Sequence, residues 1–219
     1  MAGGMQGVGH KRAAGRAAPR RAFDCLTDWA RAWGGILLAP VVRVMAALRV
    51  HPNTVTLFGM LLQVAVGVVF GLGYFRWGGA SLLIVAPVDA LDGALARALG
   101  TKGRFGAFLD STADRVSDSA LILGMMVHYL NQGAHLEVLL LLVSLVAALL
   151  VSYTRARAEA LGFTCKVGIL TRLERILLIG IFTLIGLPEI LLWLLALLSL
   201  ITVAQRVIHI YAIARQEDV

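Results

Sequence analysis

From Val55 onward the chain is a series of apolar runs, most of them about 20 residues long and each ended by a short connection rich in polar residues, glycine or proline. The first covers 55–74. Ahead of it, His51-Pro52-Asn53-Thr54 supplies a proline and a capping side chain, Asn53 or Thr54, for a helix start. Further runs over about 77–99, 104–130, 135–161, 170–187 and 189–214 predict five more helices, the fourth with VLLLLVSLVAALLVSY at its centre. Residues 51–219 are therefore expected to form an all-α integral membrane domain of six transmembrane helices. Gly67 and Gly71, four residues apart, would let another helix approach closely.

The pattern before residue 51 is different. Phe23, Leu26, Trp29, Ala30 and Trp33 recur at helical spacing, while Asp24, Asp28 and Arg31 fall between them. Too many charges interrupt this stretch for it to span a bilayer. Over 22–50 it predicts an amphipathic interfacial helix with both tryptophans at headgroup level and a bend or restart at Pro40. Residues 1–21 are basic and rich in Gly and Ala, with no apolar core of a cleavable signal, and predict a disordered arm.

Composition agrees with the pattern. The 219 residues are 59% hydrophobic and 15% charged, with mean hydropathy +0.83, which excludes an ordinary soluble domain. The net charge of +7 comes with no nucleic-acid-binding motif, and its placement suits membrane orientation instead. Basic residues from Lys11 to Arg49 precede the first run, Lys102 and Arg104 separate the second from the third, and Arg155, Arg157, Lys166, Arg172 and Arg175 surround the next connection on that side. The opposite side has little beyond Arg76. By the positive-inside rule both termini face the cytoplasm of a multi-pass cell-membrane protein. Cys25 and Cys165 have no metal or redox spacing and are expected to be free thiols.

Against this apolar background, residues 89–114 carry four aspartates. Asp89 and Asp92 stand at i, i+3 and Asp110 and Asp114 at i, i+4, so on helices each pair shares a face. Two glycines in Gly100-Thr101-Lys102-Gly103 predict a tight turn, and antiparallel helices leaving it bring the two pairs to matching depth. At about 1.5 Å per residue the inner pair lies roughly 13 Å from the turn and the outer roughly 18 to 20 Å. Unpaired, four such carboxylates would cost on the order of 10 kcal/mol in a bilayer. Hard oxygen donors with no nearby His or Cys suit Mg²⁺, Mn²⁺ or Ca²⁺ rather than zinc or copper, and two such ions, Mg²⁺ with Mn²⁺ possible, suit phosphoryl chemistry. Gly93 and Gly106 leave the backbone open to phosphates.

The spacing Asp89-x-x-Asp92-Gly93-x-x-Ala96-Arg97, eight residues, then Gly106-x-x-x-Asp110-x-x-x-Asp114 resembles the full signature of the CDP-alcohol phosphatidyltransferases. That resemblance implies a six-helix membrane enzyme, acting as a homodimer, that displaces CMP from CDP-diacylglycerol with an alcohol. It implies two divalent ions on Asp89, Asp92, Asp110 and Asp114, with Asp114 also the base. It further implies a CDP-lipid site at Asn53, Asp92, Gly93, Ala96, Arg97 and Gly106. Aspartate-rich prenyltransferases share the metal chemistry but not these glycine and Ala-Arg intervals. A cation transporter would explain the aspartates but not the glycines.

A second cluster lies in SYTRARAEALGFTCKVGILTRLER. Arg155, Lys166, Arg172 and Arg175, with Arg115 after the last signature aspartate, could receive an acceptor phosphate, since arginine offers a fork matched to phosphate oxygens. Glu159 and Glu174 are placed to pair with these arginines. Asp118, one turn beyond Asp114, is expected to pair with a cation rather than to bind metal. The string is similar to the branch of the family that takes inositol 1-phosphate; glycerol 3-phosphate, giving phosphatidylglycerol phosphate, is the rival acceptor.

Overall fold

The computed structural model describes residues 39–101 and 103–217. The basic arm, Trp29, Trp33, Cys25 and Lys102 lie outside the described residues. Helix α1, residues 39–47, is the described end of the expected interfacial segment. Its Val42 packs with Val55, Leu91 and Leu95, so it rests on the next helix and on the one carrying the first aspartates.

Helix α2, Pro52–Gly71, starts two or three residues earlier than a cap at Asn53 or Thr54 suggested. Pro52 is itself the first helical residue, where its missing N–H costs nothing, so the cap falls on His51. The His51 Nδ1 accepts the Asn53 N–H at 3.2 Å. The helix expected over 77–99 is divided into α3, Phe75–Val85, and α4, Val88–Ala98. Pro87 is the reason: it has no N–H to donate, and its ring crowds the carbonyl four residues back. Then follow α5, Arg104–Asn131, α6, His135–Ala160, α7, Arg172–Leu184, and α8, Pro188–Glu217. Gly100, at φ +66°, makes the α4–α5 turn that the sequence predicted.

Among the described residues there is no strand, and four helices are long and apolar enough to cross a membrane: Pro52–Gly71, Phe75–Ala98, His135–Ala160 and Pro188–Gln216. Six were expected. The other two differ for separate reasons, since α5 carries Asp110, Asp114, Arg115 and Asp118 along its length, while α7 has only 13 residues, about 20 Å of helix.

The centre is packed by Phe70, Leu82, Leu121, Ile122, Met125, Leu141, Ile179 and Leu191, all at most 1% exposed. In lipid such contacts gain through close packing rather than through exclusion of water. The tightest approach joins α2 to α5, where a Cβ on Gly124 would stand 1.9 Å from the Gly67 carbonyl oxygen and one on Gly67 2.5 Å from that of Ala120. The glycine seam of α2 is thus filled within the chain.

Two polar side chains of α8 fix the α6–α7 connection. Thr202 Oγ1 accepts the Leu170 N–H at 3.0 Å, and Arg206 donates to the carbonyls of Val167, at 2.9 Å, and Val151. The connection ends at Thr171, which forms a capping box with Glu174 and starts α7. Arg172 and Arg175 follow at once, so α8 sets where they stand.

Candidate active site

The two aspartates of α4 are held from α2. Thr56 Oγ1 donates to Asp92 Oδ2 at 2.5 Å, and Gln63 Nε2 donates to Asp89 Oδ2 at 2.6 Å. Asp92 Oδ1 also accepts the Gly93 N–H at 2.5 Å, and the side chain is buried. Gln63 did not figure in the sequence reading; it follows from one signal, a polar residue inside an otherwise apolar membrane helix.

The aspartates of α5 are held differently. Arg172 reaches across from α7, with Nη1 2.9 Å from Asp114 Oδ1, Nη2 2.7 Å from Asp89 Oδ2 and Nε 3.6 Å from Asp118 Oδ1. A single guanidinium therefore spans the outer pair, which places Asp89 and Asp114 at the matched depth expected. Arg175, 2% exposed, lies 3.3 Å from Asp118 through Nη2. Asp118 has the cationic partners anticipated for it, though Arg115 is not one of them. The Arg115 guanidinium donates to the Ser111 carbonyl.

Around these groups lie two cavities that share Ala107 and Asp110. The smaller, about 240 Å³, is lined by Asn53, Asp92, Gly93, Ala96, Arg97 and Gly106, all six residues expected at a CDP-lipid site. Nothing crowds its glycines: a Cβ on Gly106 would meet only Asn53 Oδ1 at 3.4 Å, and one on Gly93 only Arg97 Nη1 at 3.6 Å. The larger cavity, about 460 Å³, is lined by Asp114 and by Arg115, Arg155, Arg172 and Arg175.

Three expectations for the basic cluster change. Lys166 is exposed and lines neither cavity, because the connection held by Thr202 and Arg206 turns it to the surface. Glu174 caps α7 with Thr171 instead of pairing with an arginine, whereas Glu159 does pair with Arg155 at 2.8 Å. Arg172, expected only as an acceptor ligand, is also the cation among the carboxylates. Arg206, buried and lining the larger cavity, was missed, and the same signal of a charge within an apolar run would have found it.

The donor set fits a hard divalent ion. Among the described residues Asp92 and Asp110 make no ion pair, and five carboxylates, counting Asp118, face only Arg172 and Arg175, so three negative charges lack a side-chain cation. Also among the described residues, no three such side chains yet converge on one point. Their oxygens turn instead to Thr56, Gln63, Gly93 and Arg172.

Carboxylates on two helices of an apolar bundle, set against an arginine-lined cavity, define a membrane enzyme for phosphate esters. The chain belongs to the CDP-alcohol phosphatidyltransferase family, whose sequence profile matches residues 49–209. It is 39% identical to the archaetidylinositol phosphate synthase of Pyrococcus horikoshii, over 78% of this chain and 88% of that one. It is 38% identical to the phosphatidylinositol phosphate synthase of Mycobacteroides abscessus, over 71% and 74%. Among solved structures, the phosphatidylinositol phosphate synthase of Mycobacterium tuberculosis with CDP-DAG bound superposes with a TM-score of 0.74 at 31% identity, covering 78% of this chain and 92% of that one. The same enzyme in complex with manganese and citrate gives 0.73 at 32%, covering 78% and 88%.

Proposed function

We propose that the protein transfers the phosphatidyl group of CDP-diacylglycerol to inositol 1-phosphate, giving phosphatidylinositol phosphate and CMP. The observation that carries this reading is the meeting of the two cavities at Asp110, one lined by the signature glycines and the other by five arginines. The nucleotide diphosphate lies along Gly93, Ala96 and Gly106 with Arg97 beside it, and Asn53 at the start of α2 borders the nucleotide. The acceptor phosphate lies among Arg115, Arg155 and Arg175, whose forks suit its oxygens. A ring hydroxyl then attacks the lipid-linked phosphorus, the new O–P bond forms as the bond to CMP breaks, and Asp114 takes the hydroxyl proton. Asp114 suits that role because it lines only the acceptor side. Two divalent ions on Asp89, Asp92, Asp110 and Asp114, Mg²⁺ or Mn²⁺, would supply positive charge beside the diphosphate oxygens.

In this reading α5 and α7 complete a six-span bundle, both termini and the site open to the cytoplasm, and two copies pair. The names of the relatives favour inositol phosphate over glycerol 3-phosphate. The test is a competition between the two acceptors on the purified protein with CDP-diacylglycerol and Mg²⁺, with the lipid product identified by mass. Phosphatidylinositol phosphate should dominate. A product that is mainly phosphatidylglycerol phosphate would refute the acceptor, and equal use of free inositol would refute the phosphate pocket.

A further inference from the structure

Gln63 is an expensive residue where it stands. It is fully buried near the middle of α2, a helix long and apolar enough to cross a membrane. Among the described residues its Oε1 has no hydrogen-bond partner, a burial penalty that leucine or methionine would avoid, and the one polar contact of its side chain is the donation from Nε2 to Asp89 Oδ2 at 2.6 Å. The surrounding face of α2 is shaped to the same carboxylate. Gly59, one turn before Gln63, leaves room for Asp89: a Cβ there would stand 3.1 Å from Asp89 Oδ1. Thr56, one further turn back, holds Asp92 in the same way at 2.5 Å. Residues 56, 59 and 63, at i, i+3 and i+7, form one stripe of α2 laid against the carboxylates of α4.

We infer that Gln63 is a positioning residue for Asp89. Its hydrogen bond to Oδ2, the same oxygen that Arg172 contacts, fixes the rotamer of that carboxylate and so sets where its oxygens stand when a divalent ion binds. Gln63 lines neither cavity, so its effect reaches substrates only through Asp89. The inference rests on Asp89 being a metal ligand, as proposed above.

The test is Mn²⁺ titration of the purified full chain without substrates, read by electron paramagnetic resonance, beside melting temperature in excess chelator. Gln63→Leu should melt in chelator no lower than the wild type, because a buried unpartnered carbonyl is removed. Its Kd for Mn²⁺ should rise about tenfold, the scale of one hydrogen bond to a charged group. At saturating Mn²⁺ its KM for CDP-diacylglycerol and for the acceptor should stay within about twofold of wild type, which loss of a substrate contact would not allow. Gly59→Ala, which pushes on Asp89 from below without removing a donor, should weaken Mn²⁺ binding in the same direction and decides the matter if Gln63→Leu does not fold. Wild-type Mn²⁺ affinity in a folded Gln63→Leu or Gly59→Ala protein would overturn the positioning role. Failure of the wild type itself to bind Mn²⁺ would instead overturn the metal reading of Asp89, and this inference with it.

Discussion

The two cavities share Asp110 and Ala107 but are built on opposite principles. The smaller is made by α2, α4 and the first two turns of α5, elements close in sequence, and its walls combine glycines and alanines with Asn53, Thr56, Asp92, Asp110 and the single arginine Arg97. The larger draws on α5, α6, α7 and α8, and its walls are guanidinium groups. A diphosphate needs an open approach to backbone beside carboxylates, which small residues at fixed intervals provide. A mobile phosphate monoester needs positive forks converging from several helices. One half of the site is thus a local motif and the other a product of the whole bundle.

The largest effect should come from the shared edge. Excess chelator should stop CMP release from the wild type, and full activity under chelation would remove the metal from the account. Next, Asp114→Asn should lower turnover by about 10²-fold or more, the typical share of a general base. CDP-diacylglycerol affinity should stay near wild type, because Asp114 lines only the acceptor side. Equal damage to CDP-lipid binding would blur the division between the cavities.

Glycines sharpen the comparison further. Gly124→Ala forces a Cβ onto the Gly67 carbonyl and should lower the melting temperature by roughly 5 °C or more, through overpacking worth about 1–3 kcal/mol. Gly106→Ala has room and should leave the melting temperature unchanged while raising the KM for CDP-diacylglycerol. The smallest effect is expected of Lys166→Ala, whose acceptor KM should stay within about twofold of wild type; a larger rise would return it to the pocket.

This asymmetry also explains what could be read from the chain alone. Spacing on two helices joined by one glycine turn made the shared faces of the aspartate pairs legible, and the resemblance to the family signature supplied Asn53, Ala96 and Arg97, which the smaller cavity brings together. The larger was legible only as a charge cluster. That Arg172 would close on Asp89 and Asp114 while Lys166 turned outward depends on Thr202 and Arg206, more than 30 residues away, holding the connection. Pro87, inside a run read as continuous, divides α3 from α4 but leaves Phe75–Ala98 among the four apolar spans. The two runs that fall short of that measure do so for other reasons, since α5 trades apolar length for carboxylates and α7 has only 13 residues. Gln63 and Arg206 were passed over because each was counted as part of its helix, when a polar group in such a helix requires a partner.

The division of labour is tested most directly by measuring both substrate KM values for two variants side by side, Arg97→Ala and Arg155→Ala. Arg97 lines only the smaller cavity and Arg155 only the larger. Each loses one charge-assisted contact, worth about tenfold. The account predicts that Arg97→Ala raises the KM for CDP-diacylglycerol and leaves that for inositol 1-phosphate within about twofold, with the reverse for Arg155→Ala. Parallel rises for both substrates in both variants would contradict it.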